Sequence, residues 1–292
     1  MNRADLDPIY FSSRAWARRI SDWIAKARAS GQATPFLDGN IAVMRQILTH
    51  QDTGPRMVVN IGADALLKFL ETNDYKNIYE KPVVGGRRRQ PTKERTEVDR
   101  LLGLGAAASN SYFGAVALGG AGVRFYGEYC MAIKPSRVGG TTRLFDRDSY
   151  DLLQAPLAGR GPTKTSRIVG ALRGQWDKDL VDMLIMKALP RLPPAQHLIT
   201  VGNMSGLIMS DQEFVEVHLS GKVDLDHIEE IRQRPEEAAI ESSILSRRRD
   251  RQSPTLVEVH WVAQRRRVLR GLARRGLLFR IASLHGKGYL WN

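Results

Sequence analysis

A single cysteine, Cys130, cannot form an internal disulfide or a thiolate-rich zinc site. That scarcity fits a reducing compartment. No apolar run approaches the roughly 18 residues that a membrane span needs, and the opening MNRADLDPIYFSS has no apolar stretch behind its basic residue. A cytoplasmic protein without membrane contact is therefore expected. Several enzyme signatures are also missing. The chain has no GxxxxGK phosphate loop, no GxGxxG after a strand, no HExxH and no CxxC pair. GxSxG is absent as well, which argues against a hydrolase of that type.

What is present is a globular composition with an uneven charge. The 292 residues are 42% hydrophobic and 26% charged, enough to bury a sizeable core in one large domain or two ordinary ones. Forty-four Lys and Arg oppose 31 Asp and Glu, a net charge of +13. Residues 241–292 hold 12 basic side chains against three acidic ones, so that segment alone carries +9. Eleven of the 12 are arginine, whose planar fork grips a phosphate through two hydrogen bonds. The partner this predicts is nucleic acid, DNA or RNA, or else an acidic protein surface. A solvated basic face is the alternative.

Periodicity divides the chain into three parts. In residues 1–52, Trp16, Ile20, Trp23, Ile24 and Ala27 form one helical stripe that Ser13 could cap and Gly31 could end. Ile41, Met44, Ile47 and Leu48 form a second, with Asp38 as its N-cap. In residues 53–235, MVVNI (57–61) reads as a buried strand running through Gly62 into a helix over ADALLKFLE (63–71). Residues 73–97 read as a long polar loop ending in the basic run GGRRRQPTKER. The stretch 111–149 reads as successive antiparallel neighbours, with turns at Gly119–Gly120 and Gly139–Gly140. A helix is expected over 177–189 and a strand over QEFVEVHLSG. In residues 236–292, a helix over EEAAIESSIL precedes a basic strand–helix–strand unit: LVEVHWVA (256–263), QRRRVLRGLARRG (264–276) and LLFRIASL.

Two segments stand out for chemistry: VVNIGADALLKFLETNDYKNIYE and QEFVEVHLSGKVDLDHIEEI. Strand alternation puts Phe214, Glu216 and His218 on one face of the second and Val215, Val217 and Leu219 on the other. A carboxylate and an imidazole on one face become useful where that face lines a cleft. A fixed negative charge there stabilises a cationic, sugar-like transition state. An exposed, merely charged strand face is the competing reading. A metal site from His218, Asp224 and Asp226, or a nuclease site from Asp146, Asp148 and Glu216, lacks any characteristic spacing. No metal is therefore expected.

At these residues the chain resembles the ADP-ribosyltransferase superfamily. VVNIGADALLKFLETNDYK matches its opening strand, short helix and polar turn, and the Glu216 strand with VDLDHIEEI matches its closing part. More narrowly, the chain is similar to a group of bacterial toxin-associated domains. The motifs are Tyr112-Phe113-Gly114, Arg124-Phe125-Tyr126-Gly127, Thr142-Arg143 with Asp148-Ser149, and Phe214-Val215-Glu216-Val217-His218. The resemblance covers roughly residues 56–232. It implies NAD as cofactor and Glu216 as the catalytic glutamate, with Asn60 where many members place a histidine that contacts the nicotinamide ribose. Tyr79 would stack on nicotinamide, Arg124 would hold a phosphate, and Gly62 and His218 would complete the NAD site. Arg56 is the fallback on the first strand, although no Ser-Thr-Ser motif accompanies it.

The reading is thus an α+β protein: a helical N-terminal segment, a central split-sheet ADP-ribosyltransferase-like core and a basic C-terminal extension packed against it. Its implied activity is transfer of ADP-ribose from NAD to a macromolecular acceptor, nucleic acid first, in a toxin or phage–bacterium conflict. The acceptor would be recruited by Arg87, Arg88, Arg89, Arg247, Arg248, Arg249, Arg265, Arg266, Arg267, Arg270, Arg274 and Arg275. A non-enzymatic nucleic-acid-binding or assembly protein is the alternative.

Overall fold

The computed structural model describes residues 16–30, 37–80, 91–153, 168–192, 199–210, 213–249 and 252–282. Helices α1 (Trp16–Ala29) and α2 (Leu37–Thr49) both pack on α5 (Trp176–Ala188). Trp16 is buried, and its indole N–H donates to the Arg173 carbonyl at 2.9 Å. Arg19, one turn on, is fully buried over the Trp16 ring and donates to the Ala171 carbonyl. The apolar stripe of the first helix is therefore core, as its spacing requires. Ser13 and Gly31, named as its cap and stop, lie outside the described residues.

Among the described residues, eight strands form one mixed sheet around a core rich in Leu, Val and Ile. They are β1 (Arg56–Ile61), β2 (Ser111–Ala117), β3 (Tyr129–Ile133), β4 (Arg143–Phe145), β5 (Arg173–Gln175), β6 (Glu216–Ser220), β7 (Ile228–Gln233) and β8 (Leu278–Ile281). Their order is β5-β4-β6-β2-β1-β3-β7-β8, antiparallel throughout except for the β7–β8 pair. The chain is α+β. The expected neighbours over 111–149 are not neighbours, because β1 lies between β2 and β3 while β4 joins β6. Residues 124–126, read as strand, form a single 3-10 turn.

The centre of the sheet forks. Strand β1 is paired with β2 only over Arg56–Val58, and with β3 over Val58–Ile61. Strand β2 in turn pairs over Ser111–Ala115 with β6. The second half of β1 and the first half of β2 therefore diverge. Gly114 stands at the fork, where a Cβ would lie 2.5 Å from the Val58 carbonyl oxygen and 3.2 Å from a Val59 methyl. Only glycine admits that approach.

Of the helices that follow, only the one carrying Arg95 reaches the fork. Helix α3 (Ala63–Thr72) follows β1 and ends at Asn73 in the left-handed region. Helix α4 (Lys93–Leu101) occupies the end of the expected polar loop, its N-terminus capped by the Thr92 hydroxyl accepting from Arg95 N–H. Helix α6 (Val201–Ile208) carries a Thr200–Asn203 capping box. The C-terminal segment departs from the expected strand–helix–strand. Residues 256–263, which alternate, are instead the first two turns of α8 (Leu256–Arg274). A capping box of Thr255 and Glu258 starts that helix, and this local signal outweighs alternation. Helix α7 (Pro235–Arg249) precedes it, and β8 hydrogen-bonds to β7. No described helix is long and apolar enough to cross a membrane.

Candidate active site

A cleft of about 210 Å³ opens in the fork. Its floor comes from Val58, Val59 and Asn60 of β1 and from Phe113 and Gly114 of β2. Glu216 and Phe214 reach it from the β6 side, Arg95 from α4, and Tyr126, Asp148 and Tyr150 from the intervening loops. Two residues singled out from sequence, Asn60 and Glu216, thus line the same cavity. That volume is below the roughly 300–1,000 Å³ of pockets that enclose whole drug-sized ligands.

Glu216 is buried and doubly bonded. Ser149 N–H donates to Oε2 at 2.7 Å, and His218 Nε2 lies 2.7 Å from Oε1. Burial alone would raise the Glu216 carboxyl. The His218 hydrogen bond and charge, the Ser149 N–H and the Arg95 guanidinium outweigh it and hold the group below the ordinary carboxylate range. Each carboxylate oxygen has two lone pairs, so both still have acceptor capacity toward the cleft. Phe113 meets the His218 ring edge-on at 5.0 Å and fixes its plane. A rotationally locked anion in an aromatic-walled cleft can stabilise positive charge that develops beside it.

Arg95 is the cation of this cleft. Its guanidinium stacks 3.9 Å above the Phe113 ring, lies 5.8 Å from Tyr150 and pairs with Asp99 one turn along α4. Despite that pairing, burial first and the Glu216 charge second push Asp99 up to about 7. Arg95 Nε is buried without a hydrogen-bond partner among the described residues. On the far wall the Tyr126 hydroxyl donates to Asp148 Oδ2 at 3.3 Å, and Asp148 Oδ1 accepts from Tyr150 N–H at 3.0 Å. Burial and the carboxylates of Asp148 and Glu216 push the Tyr126 hydroxyl up, so it remains a donor. Phe125, beside it, is 84% exposed.

The remaining expected site residues are placed differently. Asn60 spends its amide on the loop that crosses the cleft: Nδ2 donates to the carbonyls of Ala121 and Gly127 at 3.0 Å each, and Oδ1 accepts from Val123 N–H at 2.8 Å. It is a clamp for residues 121–127. Arg124 lies outside the cleft and pairs with Glu237 at 3.3 Å. Arg56 lies at the opposite end of β1, buried against Glu229 and the carbonyls of Gln51, Asp52 and Gly54. Tyr79 is half-buried and does not line the cleft, whereas its neighbour Ile78 does. Gly62 lies at the head of α3, beside Glu128, and is not part of the cleft wall. Among the described residues no group of three His, Cys, Asp or Glu side chains could hold a metal ion. In the grouping weighed for one, His218 faces Glu216 and Asp224 caps the turn shared with His227.

The arginine patch is smaller than the sequence suggests. Arg265 is buried against Glu241 and Gln233, Arg247 pairs with Glu258, and Arg266 pairs with Glu241 at 3.0 Å. Arg275 closes α8 onto α3 by donating to the carbonyls of Leu70 and Glu71. Arg267, Arg270 and Arg274 remain exposed on α8. Arg87, Arg88 and Arg89 lie outside the described residues, as do the side chains of Arg248 and Arg249.

Sequence reasoning missed Arg95, Tyr126 and Tyr150. Arg95 was legible, since Val98, Leu101 and Leu102 behind Thr92 carry helical spacing. Tyr126 sat in a motif assigned to a strand, and nothing local distinguished it. No protein-family model, no curated protein and no solved structure matches the chain.

Proposed function

We propose that the cleft binds the nicotinamide-ribose end of NAD and that the protein transfers ADP-ribose to a macromolecular acceptor. One observation carries the reading: the strand that opens the resembling segment and the strand that bears Glu216 converge on a single forked cleft. The short helix and polar turn after β1 and the glutamate on β6 are the features shared with the ADP-ribosyltransferase superfamily. The residues suit the substrate, because an anionic Glu216 faces a space of ring-and-sugar size with aromatic walls.

In this reading Glu216 stabilises positive charge as the bond from the ribose carbon to the nicotinamide nitrogen breaks, its electron pair leaving with nicotinamide. An acceptor nucleophile then bonds to that carbon and releases its proton to solvent. Tyr126 and Tyr150 exclude water from the ring, and Arg95 takes the phosphate-side role first given to Arg124. Asn60 positions the 121–127 loop and does not touch the sugar. The net charge of +13 supports a polyanionic acceptor, DNA or RNA.

The test is incubation with labelled NAD together with DNA, RNA and a cell lysate, comparing the wild type with Glu216→Gln. Label on one macromolecule, lost in the variant, is the expected result. Absence of NAD consumption under every condition overturns the proposal. A second reading, a nucleic-acid-binding or assembly protein without chemistry, is favoured by the fully satisfied Asn60 amide. It requires salt-sensitive nucleic-acid binding that Glu216→Gln leaves unchanged.

A further inference from the structure

Helices α7 and α8 run antiparallel and are tied at two levels, by Arg247 with Glu258 and by Arg265 with Glu241. Between them lies a groove of about 620 Å³, separate from the cleft. Its floor is apolar: Ile244 and Leu245 from α7, and Val259, Val262 and Leu269 from α8. Val259 is 50% exposed, and the same end of α8 presents Leu256 at 88% and Val257 at 78%. Isolated apolar residues on a surface need no explanation, but a continuous apolar floor in a concave groove does.

The rim is cationic. Arg266, Arg267 and Arg270 line it, and only Arg266 has a carboxylate partner among them. Arg267 and Arg270 have no ion-pair partner among the described residues, and both are exposed. From Val259 to Arg270 the groove follows 11 helical steps, about 16 Å at 1.5 Å per residue. That length matches about three turns of a second helix laid along it.

We propose that this groove docks an acidic amphipathic helix of a partner protein, with an apolar stripe on the floor and Asp or Glu flanks against Arg267 and Arg270. Charge complementarity names the occupant's sign and the floor names its other face. A nucleic acid offers phosphates but no apolar stripe, so it would strand the floor against polar groups. The proposal stands independently of the chemistry in the cleft.

A phage-displayed library of 16-residue helices, randomised at apolar and flanking positions, tests it on the full chain. Enrichment of apolar residues at i, i+3 or i+4, and i+7 with acidic flanks is expected. A selected peptide should then lose about tenfold or more in affinity for Arg267→Glu/Arg270→Glu, as like charges repel across the rim. It should lose as much for Val259→Asp, a half-exposed position, in a variant whose melting temperature matches the wild type. Binding that both variants leave intact would overturn the proposal. So would selection without acidic flanks, or displacement of the peptide by a 20-base-pair DNA duplex at equal sensitivity to the arginine changes. A concentration-dependent dimer abolished by Val259→Asp would overturn it by assigning the groove to a second copy. Glu216→Gln should bind the peptide as the wild type does, so failure of the transferase reading leaves this result unaffected.

Discussion

Replacing Asn60 by alanine separates a clamp from a ligand contact. The wild-type amide makes three hydrogen bonds, two donated to the carbonyls of Ala121 and Gly127 and one accepted from Val123 N–H. All three are partly buried. A neutral hydrogen bond of this kind contributes about 0.5–1.5 kcal/mol net, and the orphaned backbone groups add part of their desolvation cost. The expected loss is therefore about 2–4 kcal/mol against a total stability on the order of 5–15 kcal/mol. For a chain of this size that lowers the melting temperature by roughly 4–8 °C. Asn60→Asp should fare no better, because it keeps the acceptor for Val123 but aims a carboxylate at two carbonyl oxygens. Urea melts of the three proteins, with hydrogen exchange across residues 121–127, provide the assay. Unchanged stability and exchange, with NAD affinity alone reduced, would refute the clamp and return Asn60 to the sugar.

Gly122 has φ +68°, and a Cβ there would lie 2.0 Å from Asn60 Oδ1. Gly122→Ala should therefore destabilise on its own by more than the roughly 1–2 kcal/mol of a left-handed alanine. A double-mutant cycle with Asn60→Ala should show costs well short of additive, and additive costs would exclude the contact. Above about pH 7, where Asp99 is ionised, Arg95→Leu leaves that carboxylate buried without its cation, at a cost of roughly 3–5 kcal/mol, whereas Arg95→Leu/Asp99→Leu should recover most of it. Urea melts that rank the double variant below the single one would contradict that pairing. Asp99, raised from 3.8 to about 7, favours the folded state fully below its unfolded value. That contribution is lost as pH rises through about 7, so wild-type stability should fall between about pH 4 and 7 relative to Asp99→Asn. Equal pH slopes for the two proteins would count against a raised Asp99.

Where burial and periodicity coincided, the sequence was a good guide to the fold. The stripe from Trp16 to Ala27 packs on the core, and the β-branched run in β1 and the alternating residues of β6 are buried on both faces of the sheet. Alternation failed at residues 256–263 because Leu256, Val257 and Val259 are exposed, so no buried face enforced a period of two. The strand order was not legible. Placing β1 between β2 and β3 depends on long-range pairing that local spacing does not encode.

The site was legible to the extent that its residues come from strands. Strand alternation singled out Glu216 and the resemblance singled out Asn60, and both line the cleft, Asn60 with its amide bonded to the 121–127 loop. The walls come from turns and from α4, where direction depends on the packing of other segments. That difference also decides which arginine reaches the cleft. Arg124 precedes an exposed Phe125 on a 3-10 turn and points to Glu237, while Arg95 is drawn inward by the Phe113 face and Asp99. An arginine count measures charge available, not charge presented. Arg247, Arg265 and Arg266 are offset by Glu258 and Glu241, carboxylates brought near them only when α7 and α8 align antiparallel. Among the described arginines of α7 and α8, Arg267, Arg270 and Arg274 remain exposed without a carboxylate partner. A partner that needs dispersed phosphate contacts finds fewer there than the composition suggests, and one that needs two or three charges beside an apolar groove finds them.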